Sequence, residues 1–382
     1  MKSERASRSA AFAGAVLLAL AAVPTMAAAQ DLKDIKPSLP LLLKAQGSFF
    51  VGGSTEDVAA KYISPPAFQV DPGKAMINQM YVQFQKPLLT LRPYPIVFMH
   101  GCCLTSKTWE TTPDGRMGWY EYFTRQGFDT YMAEQVSRGR SGFDALQFQK
   151  VLTGDAPGTA NPAILIATDQ FAWNVFRWGT FSTLTPFADE RFPMKTVGVG
   201  AGSNLNFYKQ VIPDLNSTLN NAVPGCADGT CTPADPNAAF NSPDTLAQLA
   251  NDLGGAILVG HSQSASFPTR AALRPGSTGV KGIIQLETGC FTNLTPANIQ
   301  TLKSIPILIM VGDHFATAQP PASCVTMQNQ INSAGGDMTF IALPSLGITG
   351  NSHMFMQDNN NLQVADIIIK WINEHVKKQV AR

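Results

Sequence analysis

Short apolar runs recur along this chain, and an interval of helical length separates most of them from the next. The runs occupy residues 95–101, 128–134, 254–260, 280–286, 306–311 and 338–343, and weaker strand patterns occur at 47–53 and 80–87. Continuous apolar runs of this length are typical of strands that are buried on both faces. The pattern therefore predicts an α/β fold whose central sheet is mostly parallel, with helices on both faces.

Two further segments have helical patterns, and one long segment breaks the alternation. A helix is predicted over 117–126, and the apolar residues between Leu362 and Ile372 fall at helical spacing. Between 145 and 250, prolines are frequent and strand signals are few. We therefore predict a core formed by residues 30–144 and 251–382. The insertion at 145–250 is predicted to be a cap over the carboxyl-terminal edge of the sheet.

The predicted cap contains a group of closely spaced aromatic residues. They are Phe171, Trp173, Phe176 and Trp178. Two roles are open for them, since they could line a pocket for an acyl or alcohol group, and their spacing also fits a helix packed on the sheet. Packing is expected for at least half of them.

The first 29 residues have the pattern of a secretory signal peptide. Lys2, Arg5 and Arg8 precede an apolar run, and Ala27–Ala29 provide small residues for cleavage. The apolar run has about 14 residues, fewer than the roughly 20 that span a bilayer. We therefore expect residues 1–29 to be removed, no stable membrane anchor, and a periplasmic or secreted protein.

Composition narrows the class of partner. Charged residues make up 14% of the chain and the formal net charge is +1. The basic pair at 377–378 is the largest local cluster of Lys and Arg, which argues against binding to nucleic acid. We expect an uncharged small molecule as the partner, and the sequence leaves a homodimer open.

The six cysteines all follow the predicted signal peptide. An even number in an oxidising compartment favours disulfides. Local spacing suggests Cys226–Cys231, and Cys102 and Cys103 are adjacent, which leaves Cys290 and Cys324 as the third pair. Other connectivities stay open, because spacing does not determine pairing. A zinc site is the alternative, but the spacings CxxC and HxxxH are absent from the sequence, so no metal site is predicted.

The strongest catalytic signal is Gly260-His261-Ser262-Gln263-Ser264, directly after an apolar run. A serine on a sharp turn between a strand and a helix presents its hydroxyl above a sheet, as in the nucleophile elbow of α/β-hydrolases. Ser264 stands where the motif usually has glycine, and Pro268 is tolerated only near the start of the following helix. A chance match in a turn is the alternative, and the preceding strand weighs against it.

A second signal, His100-Gly101-Cys102-Cys103, ends an earlier apolar run. Acyl-transferring hydrolases of this fold use such a loop to bind the oxyanion with a backbone N–H. The second donor is then the amide of Gln263, the residue after the nucleophile. For the His100 side chain we expect only a local hydrogen bond that shapes the loop.

The catalytic base is found by elimination among five histidines. The order serine, acid, histidine requires a late position, and His353 lies between the last predicted strand and the last helix. Two acids are candidates. Asp313 follows the strand that usually carries the acid, whereas Glu287 ends an apolar run and has the longer side chain to reach His353. Position alone favours Asp313, and the apolar setting favours Glu287.

Three segments resemble one family, the vicinal-disulfide bacterial esterases of the α/β-hydrolase superfamily. They are HGCCLTSKTWETTPDGRMGWYEY at 100–122, GHSQS at 260–264 and GNSHMFMQDNNNLQVAD at 350–366. The resemblance covers roughly 90–145 and 250–375, and the cap and the first strands match only loosely.

The resemblance implies a role for each matched position. Ser262 is then the nucleophile, His353 the base and Glu287 the acid. Cys102 and Gln263 provide the oxyanion donors, and Cys102 and Cys103 form a disulfide.

These observations predict a secreted serine carboxylesterase that hydrolyses uncharged esters through an acyl-enzyme on Ser262. No cofactor is expected, because this chemistry uses side chains and backbone amides alone. An acyltransferase with the same triad is the alternative. A non-catalytic binding protein on the same fold is disfavoured, because the chain keeps a nucleophile, a base and two candidate acids.

Overall fold

The structure, a computed structural model, describes residues 39–63, 71–162, 164–215, 236–237, 241–314 and 320–377. The predicted signal peptide and the predicted Cys226–Cys231 disulfide lie outside these ranges.

Twelve strands occur in the described ranges, eight of them in one sheet. In chain order they are β1 (Leu43–Val58), β2 (Gly73–Pro87), β3 (Ile96–Met99), β4 (Thr130–Ala133), β5 (Ile164–Leu165), β6 (Gly179–Thr180), β7 (Thr185–Pro186), β8 (Asp214–Leu215), β9 (Ala256–His261), β10 (Val280–Leu286), β11 (Ile307–Val311) and β12 (Met338–Ala342).

The α-helices of the same ranges lie between these strands in sequence, except for the last, which follows β12. They are α1 (Trp119–Arg125), α2 (Leu146–Leu152), α3 (Asp169–Val175), α4 (Asn241–Asp252), α5 (Phe267–Ala272), α6 (Pro296–Leu302), α7 (Ala322–Ser333) and α8 (Asn361–His375).

The large sheet has the order β1-β2-β4-β3-β9-β10-β11-β12. β1 and β2 form an antiparallel hairpin, β2 is antiparallel to β4, and all later pairs are parallel. The predicted mostly parallel sheet is therefore confirmed. β1 and β2 extend well beyond the predicted 47–53 and 80–87. The apolar pattern marks only their buried middle, at Val51, Met80 and Val82, whereas their outer parts are held by the hairpin ladder.

Alternate residues of the parallel strands enter two separate cores. Ile96, Ile257 and Ile284 pack with residues of α1 and α8 on one face. Val97, Leu258 and Ile283 pack with residues of α4, α5 and α7 on the other face. Both faces of the sheet are therefore covered, which accounts for strands that are apolar at almost every position.

The described part of the insertion lies against the loops that follow the parallel strands. The Phe176 carbonyl accepts a hydrogen bond from the His353 amide at 2.9 Å, and the Ile212 amide donates to the Cys103 carbonyl at 2.8 Å. Trp173, Phe176 and Trp178 are buried in the same core as α1 and α8, and Phe171 is half-buried. Packing is thus the role of three of the four cap aromatics.

The predicted end of the insertion falls inside α4. Leu246 and Leu249 of this helix are buried in the core that also contains Val51 and Leu258. In the structure α4 is therefore part of the sheet-covering layer, and the chain returns to the core about ten residues before the predicted boundary at 250/251. The sequence does not indicate this boundary, because Pro243 continues the proline-rich pattern of the insertion. In the structure Pro243 lies in the first turn of α4, where proline is tolerated.

Cys290 and Cys324 form a disulfide across a sequence separation of 34 residues. It ties the loop after β10 to α7.

We predict that replacing both Cys290 and Cys324 by alanine lowers the free energy of unfolding by about 3–4 kcal/mol, the loop-closure contribution for a ring of this size. Denaturant unfolding under non-reducing conditions measures the loss. A variant as stable as the wild-type protein would show that the bond does not constrain the unfolded chain.

Across the described ranges, none of the helices has both the length and the apolar character needed to cross a membrane.

Candidate active site

Ser262 lies on a sharp turn directly after β9. Its φ is 55°, in the left-handed region that costs energy for residues other than glycine. A Cβ at Gly260 would lie 2.1 Å from the Ser264 carbonyl oxygen, so only glycine fits before the turn. The turn therefore has the geometry of a nucleophile elbow.

Ser264, which replaces the usual glycine, has a structural function of its own. Its buried hydroxyl accepts a hydrogen bond from the His261 amide at 3.1 Å and donates to the Met99 carbonyl at 3.0 Å. These bonds connect the turn to β3. Pro268 occupies the first turn of α5, where its missing N–H costs nothing.

The loop after β3 packs closely against this turn. A Cβ at Gly101 would lie 2.9 Å from His261 Nδ1 and 3.0 Å from Ser262 Cβ, so the approach requires glycine. The structure thus brings Cys102, the next residue, to the nucleophile turn.

The His100 side chain holds this loop through two hydrogen bonds. Its Nε2 accepts from the Gln135 amide at 3.2 Å, and its Nδ1 lies 2.9 Å from the Gly101 carbonyl oxygen, to which it donates. One donor and one acceptor require a neutral ring. Burial agrees, because it lowers the pKa of His100 to about 4.

Glu287 and His353 form a buried pair. His353 Nδ1 lies 2.9 Å from Glu287 Oε2, although 66 residues separate them in sequence. The Gly312 amide donates to the other carboxylate oxygen, Oε1. A Cβ on Gly312 would lie 3.0 Å from that oxygen, a tighter contact than an ordinary one, so glycine eases the approach of the carboxylate.

Both members of the pair have a shifted pKa. Burial alone would raise the pKa of Glu287, but the charge of Arg177 and the hydrogen bonds from His353 and the Gly312 amide lower it to about 2. Burial lowers the pKa of His353 below its ordinary value, and the carboxylate of Glu287 opposes this effect. At neutral pH the acid is therefore ionised and the base neutral.

Asp313, the other candidate acid, is turned away from the base. Its carboxylate accepts hydrogen bonds from the backbone amides of His314 at 2.7 Å and Gly350 at 3.0 Å. The side chain therefore organises the loop after β11, and it is Glu287 that reaches the imidazole.

The described insertion adds two charged residues that the sequence analysis does not identify. Arg177 Nη2 lies 2.5 Å from Glu287 Oε2, and Arg177 Nε donates to the Asp313 carbonyl at 3.1 Å. Asp214 accepts from the Cys103 amide at 3.3 Å and from the Gln263 side chain at 3.0 Å, and it forms a fully buried ion pair with Arg138. Asp214 thereby links the two segments that contain the predicted oxyanion donors. Neither residue belongs to a motif, so no local signal could have identified them.

Cys102 and Cys103 are adjacent in the loop after β3, and Cys102 is half-buried. Cys103 is buried and has a φ of 61°. The Cys102–Cys103 disulfide stays a prediction.

A groove begins at Ser262. It has a volume of about 420 Å³ and is lined by Ser262, Gln263, Ser266, Arg270, Thr288, Gly289, Cys290, Phe291, Thr292 and Asn293. None of the four cap aromatics belongs to this lining. The described groove wall is formed by α5 and the loop after β10, and the Cys290–Cys324 disulfide anchors that loop.

The strand order, the turn at Ser262 and the buried pair at the same edge of the sheet define an α/β-hydrolase. No family model matches the chain. It is 36% identical to the protein in a structure described as the atomic resolution structure of a novel bacterial esterase, with a TM-score of 0.76. The likeness covers 93% of this chain and 100% of that one, so it extends beyond the segments at 90–145 and 250–375.

A curated relative is also similar over most of its length. It is a probable secreted lipase, phiG, from Fungal sp. (strain ATCC 74256), 25% identical over 334 residues, which are 79% of this chain and 88% of the relative. With the bacterial esterase at 36% identity, the family is established. This chain belongs to the vicinal-disulfide bacterial esterases of the α/β-hydrolase superfamily and is a carboxylic ester hydrolase.

Proposed function

We propose that the protein is a serine carboxylesterase that acts through an acyl-enzyme on Ser262. The observation that carries this proposal is the contact of 2.9 Å between His353 Nδ1 and the ionised, buried Glu287. A carboxylate only accepts hydrogen bonds, so the contact requires the proton on Nδ1. Nε2 of His353 is then an acceptor, and among the described residues nothing hydrogen-bonds it.

The proposed reaction begins when Ser262 Oγ attacks the ester carbonyl and His353 Nε2 takes the hydroxyl proton. The amides of Cys102 and Gln263 donate hydrogen bonds to the oxyanion. Collapse of the tetrahedral intermediate breaks the ester C–O bond, and the alcohol leaves with the proton from Nε2. Water, deprotonated by His353, then attacks the acyl-enzyme and releases the acid, which restores Ser262.

Several features support a small, uncharged ester as the substrate. The groove at Ser262 is lined mainly by uncharged residues, with Arg270 as its one charged lining residue, and its size suits a small molecule. We also propose that the protein is exported, to the periplasm or beyond. The signal-like residues 1–29 support this, and so does the likeness to a fungal protein described as a probable secreted lipase.

Covalent labelling tests the proposed mechanism. A fluorophosphonate should react with one serine, and mass spectrometry of the digested protein should place the adduct on Ser262. Hydrolysis of p-nitrophenyl esters of graded acyl length, with and without an added alcohol, then separates an esterase from an acyltransferase. An adduct elsewhere would contradict the assignment of Ser262. A transferred acyl group as the main product, with little free acid, would replace the hydrolase by the transferase.

We predict that the exported protein has a Cys102–Cys103 disulfide and that its reduction lowers activity more than stability. The ring closed by adjacent residues is tiny, so its effect on chain entropy is far below the roughly 3 kcal/mol of a 15-residue loop. The same bond would stiffen the loop that presents the Cys102 amide. Non-reducing peptide mapping checks the pairing, and labelling of Cys102 by iodoacetamide in the native oxidised protein would contradict it. The control is the variant with alanine at 290 and 324. It lacks the Cys290–Cys324 disulfide, so an effect of reduction on its activity cannot come from loss of the bond that anchors the loop after β10.

We predict that the acidic limb of the pH profile of kcat/KM lies below about pH 6.5, the ordinary pKa of histidine. The base acts when neutral, and burial lowers the pKa of His353, so the free enzyme stays active to a lower pH. Glu287, with a pKa of about 2, remains ionised throughout this range. Initial rates between pH 4 and pH 9 measure the limb. A limb above pH 6.5 would show that the charge of Glu287 outweighs burial at the base.

A further inference from the structure

The insertion places one cation directly against the proposed acid. α3 ends at Val175, and the chain turns at Arg177, whose φ is 57°. The guanidinium then reaches Glu287 Oε2 at 2.5 Å and the Asp313 carbonyl oxygen at 3.1 Å. Its side chain is 13% exposed, and that of Glu287 is fully buried.

The same segment also holds the base. The Phe176 carbonyl accepts a hydrogen bond from the His353 amide, and the Phe176 ring stacks on the imidazole with centroids 5.9 Å apart. Two consecutive residues of the insertion therefore contact both the base and the acid. A displacement of this segment would disturb the pair as a whole.

Charge balance explains why a cation is needed at this place. A buried carboxylate is costly unless an opposite charge and hydrogen bonds compensate it. His353 is neutral in the resting enzyme, because it must be able to accept the proton of Ser262. The imidazole therefore supplies a hydrogen bond but no charge until the reaction begins. Arg177 supplies the charge in the resting state.

The contact between Arg177 and the imidazole agrees with this role. Arg177 Nη1 lies 3.0 Å from His353 Nδ1. Since Nδ1 carries the proton that Glu287 accepts, this is a contact of a positive charge with an N–H group. It favours the neutral ring over the imidazolium, so the base remains ready to accept a proton.

We propose that Arg177 is a positioning residue, the permanent counter-ion that keeps Glu287 ionised and correctly oriented toward His353. This inference rests on the proposed triad. It gives the insertion a direct part in catalysis, because the active arrangement is complete only when the segment at 176–177 lies against the core.

The proposal has a defined consequence for pH dependence. Besides Arg177, the titratable groups near the pair in the described ranges include His261, whose ring centroid is 4.9 Å from that of His353, and two carboxylates held by other partners. Asp313 bonds the amides of His314 and Gly350, and Asp358 bonds Ser352 and Asn351. Loss of the positive charge at 177 makes protonation of both Glu287 and His353 easier. The acidic limb of kcat/KM should therefore move to higher pH.

Three variants of the full-length protein test this role. In Arg177→Met we expect kcat to fall about 10²-fold at pH 7, the lower end of what general acid–base catalysis contributes, with little change in KM. The acidic limb should rise by about one pH unit. Arg177→Lys keeps the positive charge but loses the forked guanidinium with its several N–H donors. Its kcat should therefore fall, while the acidic limb of its kcat/KM profile stays near that of the wild-type enzyme. Arg191→Met is the matched control, because the Arg191 side chain donates a hydrogen bond to the Thr349 carbonyl. This replacement should leave both kcat and the acidic limb unchanged.

A double variant keeps the test decisive if Arg177→Met is unstable. In Arg177→Met combined with Glu287→Gln, no buried charge is left alone, so its melting temperature should exceed that of Arg177→Met. A double variant no more stable than the single one, or an unshifted limb in Arg177→Met, would overturn the counter-ion role. Fluorophosphonate labelling of Ser262 in the wild-type protein is independent of these results. Failure of that labelling would contradict the proposed function, whereas an unaffected Arg177→Met would contradict this inference alone.

Discussion

Replacement of Ser262 by alanine is expected to lower kcat for ester hydrolysis by roughly 10⁶, the loss that follows removal of a triad serine. Oγ is the atom that would form the acyl-enzyme, and no other side chain in the described groove is held on a turn of this geometry. Alanine fits the turn about as well as serine, because neither residue is branched at Cβ and the strained φ of 55° is the same for both. The measurement is initial-rate kinetics on a p-nitrophenyl ester, with circular dichroism as a check of folding.

Ser266→Ala is the matched control for this substitution. Ser266 lines the same groove, but its hydroxyl accepts a hydrogen bond from Arg270 Nε at 3.2 Å and has no triad partner. Its replacement should change kcat by a few-fold at most. Turnover of Ser262→Ala near that of the wild-type enzyme would show that another nucleophile carries the reaction.

The second large effect is expected at the acid. Glu287→Gln should lower kcat by roughly 10⁴ at neutral pH, because an amide at this position no longer enforces the tautomer that has its proton on Nδ1. The amide can donate to Nδ1 instead, which places the proton on Nε2 and blocks the transfer from Ser262. Steady-state kinetics at pH 7, together with thermal unfolding, separates this loss from a loss of folded protein.

Asp313→Asn provides the comparison, since the two acids follow neighbouring strands. The asparagine oxygen can replace one of the two acceptors for the amides of His314 and Gly350, so activity should fall far less than in Glu287→Gln. The opposite ranking of the two variants would assign the role of acid to Asp313. It would also mean that the pair at 2.9 Å is a structural one.

The fold was largely predictable because its signals are short-ranged. Each parallel strand is buried on both faces, so its apolar run is visible within six or seven residues. Gly260 also acts locally, since it permits the sharp turn that presents Ser262. The extent of β1 and β2 was not visible in this way, because ladder hydrogen bonds to a partner strand hold their exposed ends.

The sequence by itself determined the alternation of strands and helices, the turn at Ser262 and, by elimination, His353 as the candidate base. For the acid it favoured Glu287 over Asp313, through the apolar setting, the longer side chain and the family resemblance, but it could not show the contact, because periodicity does not reveal where a side chain turns. Only the tertiary structure decided which carboxylate contacts the imidazole. It alone brought Arg177 to Glu287 across 110 residues and Asp214 to Gln263 across 49. Charges that meet across such separations leave no local pattern, because their partner is selected by the packing of the insertion against the sheet edge.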